Sequence, residues 1–121
     1  MMLTIKTNKI SVIQKEFNEL FPFLKLEFFR NPFDRNDKTA RPEVMRNEVT
    51  LKPSDQANGE ICVTDEMPVS TLEQLFLDVF GIRAQVFRKS GASWLETRVT
   101  NDWTLKRQND EGRELSSLKK S

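Results

Sequence analysis

Catalysis in this chain would have to rest on carboxylates, lysines or arginines, with one thiol besides. Its 121 residues include 18 acidic and 19 basic side chains, one cysteine, no tyrosine and no histidine. The missing histidine removes the usual general base, the Ser-His and Cys-His pairs and the commonest transition-metal ligand. One cysteine without histidine cannot build a structural zinc site. The remaining candidates do not cluster. Asp65 and Glu66 lie between an expected strand and an expected helix, where a turn or cap role suits them. Asp34, Asn36 and Asp37 lack the glycine and bidentate glutamate of a calcium loop. Lys38, Arg41 and Arg46 alternate with Asp34, Asp37 and Glu43, which reads as a solvated mixed-charge loop. Ser90-Gly91 lacks the spacing of a phosphate loop. Cys62, between Ile61 and Val63, reads as a packed thiol. The residues therefore imply no catalytic group, no metal and no cofactor, and we read the chain as non-enzymatic.

Recognition chemistry is better represented. The stretch QVFRKSGASWLETRVTNDW, residues 85–103, reads as a β-hairpin turning at Ser90-Gly91. A two-residue loop there pairs Lys89 with Ala92, Phe87 with Trp94, Val86 with Leu95 and Arg83 with Arg98. Side chains alternate across a strand. Ile82, Ala84, Val86, Leu95 and Val99 then form a core face. Arg83, Gln85, Phe87, Lys89, Trp94, Glu96 and Arg98 form the opposite face. On an earlier strand Phe29 falls on the same side as Lys25 and Glu27. The candidate partner-binding face is thus Phe87, Trp94, Phe29, Arg83, Lys89 and Arg98.

Three readings of that face compete. The C-terminal segment can cover it, with Trp103 and Leu105 packed on Phe87 and Trp94, because chains rarely leave two large aromatics bare. It can be a protein interface, including self-association, since aromatics with arginine make interface hot spots. It can stack single-stranded nucleic acid, as sheet aromatics flanked by Arg and Lys do. The packing expectation is the covered face, with a secondary edge left for partners.

The elements that must position these residues follow from periodicity. Leu3-Thr4-Ile5 is a short strand. Ile10, Ile13, Phe17, Leu20 and Phe21 form one apolar helical face, with a possible capping box at Ser11 and Gln14 and a stop at Pro22. Leu24, Leu26 and Phe28 alternate as a half-buried strand. Residues 31–58 hold Pro32, Pro42 and Pro53 and read as a long loop, with a brief strand possible at Val49-Thr50-Leu51. Glu60 to Thr64 is the next strand. Ser70-Thr71-Leu72-Glu73 is a capping box for a helix carrying Leu72, Leu75, Phe76 and Val79, ended by Gly81. After the hairpin, Asn101 or Asp102 caps a short helix from Trp103 to Asn109, and the SSLKKS tail frays. The order predicts a single α+β domain over residues 1–121. It is a two-layer sandwich of the ferredoxin-like β-α-β-β-α-β type with an added C-terminal strand and short helix. A β-grasp arrangement is the alternative. The two β-α-β halves show no sequence repeat.

A net charge of +1 gives no global pull toward nucleic acid or anionic lipid. No apolar run is long enough to span a membrane, and the N-terminus lacks the features of a signal peptide. One unpaired thiol suits a reducing cytoplasm. The run QVFRKSGASWLETRVTNDWTLKRQNDEG resembles a motif of small, uncharacterised bacterial proteins, a VFR-SG-WLET hairpin followed by a DWTL-QN segment. The match covers the C-terminal quarter and extends weakly back to TLEQLFLDVFG. The resemblance implies a bacterial cytoplasmic protein and no particular activity. The reading from sequence is a small module that binds another protein or a second copy of itself, such as a homodimer. Single-strand nucleic-acid binding is the alternative.

Overall fold

The computed structural model describes residues 2–30, 43–44 and 59–118. In chain order the elements are β1 (Met2–Ile5), α1 (Ile10–Leu20), β2 (Leu24–Arg30), β3 (Glu43–Val44), β4 (Ile61–Thr64), α2 (Val69–Phe80), β5 (Arg83–Ser90), β6 (Ser93–Glu96) and α3 (Leu105–Leu118). The chain is α+β. The expected strand at 49–51 and the charged loop residues Asp34, Asn36, Asp37, Lys38, Arg41 and Arg46 lie outside the described residues.

Both long helices form for the reasons periodicity suggests, but neither starts at its expected capping box. In α1, Ile10, Ile13 and Phe17 are buried at spacings of three and four. The helix opens at Ile10, with Lys9 in extended backbone before it. It closes at Phe21, whose N–H donates to the Phe17 carbonyl at 2.8 Å, just before Pro22. In α2, Val69, Leu72, Phe76 and Phe80 are buried, and Pro68 stands at the N-cap. The first N–H groups find partners from elsewhere: Val69 donates to the Trp103 carbonyl at 3.0 Å and Ser70 to the Asn101 carbonyl at 2.8 Å. With those donors satisfied, Glu73 is released from the capping role. Gly81 caps the helix at φ +63°, as expected.

The described strands divide into two antiparallel sheets, β1-β4 and β3-β2-β5-β6. A ferredoxin-like sandwich places its four strands in one sheet, so that arrangement is not formed by these pairings. The β-grasp alternative, built on the second half alone, is also not formed, because β1 pairs with β4 and β2 with β5. Each sheet is made by joining the two β-α-β halves.

The halves do correspond, in apolar positions rather than identities. Leu3 and Ile5 match Ile61 and Val63 on the ribbon's inner face. Ile10, Ile13, Phe17 and Phe21 match Val69, Leu72, Phe76 and Phe80. Leu24, Leu26 and Phe28 match Ile82, Ala84 and Val86. These side chains make one buried cluster, with Leu3 at its margin. Antiparallel pairing of β1 with β4 and of β2 with β5 relates the halves by an approximate two-fold axis. Phe28 and Phe76, from different halves, meet edge to face at 5.0 Å between centroids.

The C-terminal helix is longer than expected and sits on the core side. α3 runs to Leu118 and so takes in Ser116, which was expected to fray. Its N-cap is Thr104, whose hydroxyl accepts the Arg107 N–H at 3.1 Å, not Asn101 or Asp102. Leu105 enters the shared core. Gln108 is fully buried and fully engaged. It donates to the Thr100 carbonyl and hydroxyl, both at 2.8 Å, and accepts from Arg88 at 3.0 Å. The Phe23 N–H donates to Asn109 Oδ1, and the Gly91 N–H to Ser116 Oγ. The DWTL-QN segment therefore straps the hairpin to the helices.

Candidate functional site

The hairpin turns one residue later than its sequence suggests. Gly91 and Ala92 form the loop, pairing Ser90 with Ser93, Lys89 with Trp94, Arg88 with Leu95 and Phe87 with Glu96. Two-residue hairpin turns need φ > 0 at their first central position. Gly91 meets that at φ +63°, whereas a Ser90-Gly91 loop would force it on a serine. The change moves Phe87 and Trp94 from directly opposed to diagonal. It leaves them on the same face, because both strands keep their alternation.

β2 supplies the centre of that face. Lys25 is paired with Phe87, Glu27 with Gln85 and Phe29 with Arg83. The Lys25 ammonium lies 5.4 Å from the Phe87 ring centroid and 5.0 Å from that of Trp94. Lys89 approaches Trp94 at 6.0 Å. Such contacts contribute roughly 0.5–1 kcal/mol at an exposed site. The Lys25 ammonium also stands 3.7 Å from the Glu27 carboxylate. The result is two half-buried rings bracketing one partly neutralised cation. Lys25 was legible as an outward residue from the Leu24–Leu26 alternation. Its place between the rings depends on the β2–β5 register, which local sequence does not encode.

The other expected members scatter. Phe29 lies four residues along β2 from Lys25, roughly 13 Å away at strand rise. Arg98 follows β6 rather than pairing with Arg83, and its Nε stands 4.0 Å from Glu96. Leu95 is 43% exposed and Val99 is 96% exposed, so neither joins the core. The strand ends at Glu96, and Thr97 turns inward to donate to the Val86 carbonyl at 2.8 Å. Cys62 is exposed rather than packed, because alternation in β4 gives the inner positions to Ile61 and Val63.

The expected cover is on the opposite side. Leu105 is buried among the helices, and Trp103 stacks with the Arg107 guanidinium at 3.8 Å and that of Arg88 at 5.7 Å. Arg88 belongs to the core-facing row of β5, paired with Leu24. α3 could not reach Phe87 and Trp94 without breaking the Gln108–Arg88 bond. Among the described residues, no helix packs on the Phe87–Trp94 face.

Sequence reasoning missed Glu73 as anything but a cap. Its carboxylate accepts the Val86 N–H at 3.2 Å. Burial raises its pKa, while the Val86 hydrogen bond and the charges of Arg83 and Arg98 act to lower it. No group of three or more potential metal ligands occurs among the described residues. No helix among them is long and apolar enough to cross a membrane. No protein-family model, curated protein or solved structure matches the chain.

Proposed function

We propose that this chain is a small, non-enzymatic interaction module of the bacterial cytoplasm that binds another protein through the outer face of its four-stranded sheet. The observation that carries this reading is the Phe87–Trp94 pair, which brackets Lys25 on the side of the sheet opposite to Trp103 and Leu105. Rigid aromatic side chains are the usual anchors of protein interfaces, with charged side chains such as these lysines at the rim. The matching partner surface is apolar with carboxylates at its rim, to meet Lys25 and Lys89. The local charge favours protein over nucleic acid. Glu27 neutralises Lys25, and Glu96 is paired with Phe87. Both carboxylates repel phosphates. A base could stack on the rings only by displacing the Lys25 ammonium from them.

The test uses Trp94→Ala with a photo-crosslinker at Lys89. The reading expects protein adducts in cells that disappear with Trp94→Ala, while the melt changes by no more than about 1 kcal/mol. An adduct between two copies would identify the partner as the chain itself. Salt-sensitive single-strand binding that needs Trp94 would replace the reading with the nucleic-acid one. Destabilisation by about 3–5 kcal/mol would show that Trp94 belongs to a buried cluster and overturn both.

A further inference from the structure

The first half of the molecule shows how an open strand edge is closed. The β2 edge facing away from β5 carries the carbonyls of Leu24 and Leu26. α1 closes it: Gln14 donates to the Leu26 carbonyl and Asn18 to the Leu24 carbonyl, both at 2.9 Å. Under the approximate two-fold axis, Gln14 corresponds to Glu73, Asn18 to Leu77 and Leu26 to Ala84. In the second half both side-chain donors are therefore replaced. An ionised Glu73 can only accept, and Leu77 offers nothing polar.

Among the described residues, the consequence is an unclosed edge inside a cleft. Glu73 takes the Val86 N–H and Thr97 donates to the Val86 carbonyl, so both groups of Val86 point away from β2. Alternation in an antiparallel ladder points the N–H and C=O of Ala84 the same way. β6 pairs only with residues 87–90 of β5. Ala84 instead lines a cavity of about 720 Å3 between α2, β5 and the turn after β6, with Glu73, Leu77, Arg83, Gln85 and Arg98 around it. Arg83 and Arg98 face Glu73 in that lining, and Glu96 stands 4.0 Å from the Arg98 Nε, so the excess positive charge of the cleft rests mainly on Arg83.

We propose that this cleft binds an extended peptide carrying a carboxylate. One peptide residue exchanges hydrogen bonds with the N–H and C=O of Ala84, continuing the lane that β6 leaves. The carboxylate, from the peptide's C-terminus or from an acidic side chain, pairs with Arg83 and Arg98 through charge-assisted bonds. The site is separate from the Phe87–Trp94 surface and does not rest on the function proposed for it.

Three peptides test the assignment by 15N-resolved titration of the whole chain: acetyl-trialanine with a free C-terminus, its amide, and the amide with a central glutamate. The Ala84 and Gln85 amides should shift with at least one carboxylate-bearing peptide, at a Kd below about 1 mM. Response to the free acid alone identifies a C-terminal ligand, and response to the glutamate amide alone an acidic side chain. Arg98→Gln, at an exposed position, should weaken that binding about tenfold with the remaining amide signals in place. The Trp94 indole signal should not move, which keeps this result independent of the sheet-face test. Equal binding of the neutral amide, no movement of Ala84 with any peptide, or shifts centred on Trp94 would each overturn the proposal.

Discussion

Glu73 occupies in the second half the place that Gln14 occupies in the first, and the exchange of an amide for a carboxyl has a measurable cost. Burial is the largest influence and raises its pKa above the ordinary 4.5, against the pull of Val86 and the two arginines. A carboxyl whose folded pKa exceeds its unfolded value binds its proton more tightly when folded. Its contribution to stability is complete below about 4.5 and is lost as pH rises through the folded pKa. Glu73→Gln keeps an acceptor for the Val86 N–H and adds a donor for the Ala84 carbonyl, while removing the charge. Melts across pH should therefore show the variant gaining on the wild type as pH rises from about 4 toward neutrality. A difference independent of pH would contradict the assignment. Nothing in the local sequence announces this role. Ser70 and Glu73 have capping-box spacing, and only the docking of Asn101 and Trp103 on the helix start frees the carboxylate for β5.

At the scale of elements, α3 shows where periodicity fails. Its inner positions Leu105, Gln108 and Gly112 keep helical spacing, but two of the three are not apolar, so a hydrophobic pattern ends near Asn109 and the helix does not. α1, α2 and the paired strands were legible because their buried positions are filled by Ile, Leu, Val and Phe. Strand order was not, since it depends on contacts between halves. The shared face of Phe87 and Trp94 was legible from alternation, but the burial was not: Leu95 and Val99 are exposed on the expected core side and Gln85 is buried on the expected outer side. The hairpin's register turned on which residue could adopt φ > 0. Gly112 also supplies a test. A Cβ there would lie 2.9 Å from Phe23 Cβ, 3.1 Å from Arg88 Cγ and 3.2 Å from the Lys89 carbonyl oxygen. Helix propensity alone says that Gly112→Ala should stabilise by about 1 kcal/mol. Contact with the hairpin says the reverse, a loss of about 1–3 kcal/mol as α3 is pushed outward. Chemical denaturation of the variant decides between them, and a raised midpoint would show that the strap is looser than its contacts imply.

The whole molecule is held together across its two halves rather than within them. Neither β-α-β unit pairs its own two strands with each other; β1 needs β4, and β2 needs β5. Phe17 and Phe76, at matching positions, are both fully buried in one cluster. Removing either ring should therefore cost about 3–5 kcal/mol, a large part of the 5–15 kcal/mol typical of a domain. The loss should not be confined to the mutated half. With one core and two shared sheets, Phe17→Ala and Phe76→Ala should each lower a single cooperative transition, followed identically by far-ultraviolet dichroism and by Trp94 and Trp103 fluorescence. Both tryptophans belong to the second half, so Phe17→Ala is the sharper case. Helical signal lost at a lower temperature than tryptophan fluorescence would mean that the first half can unfold alone, and the two-fold architecture would then be two weakly joined units.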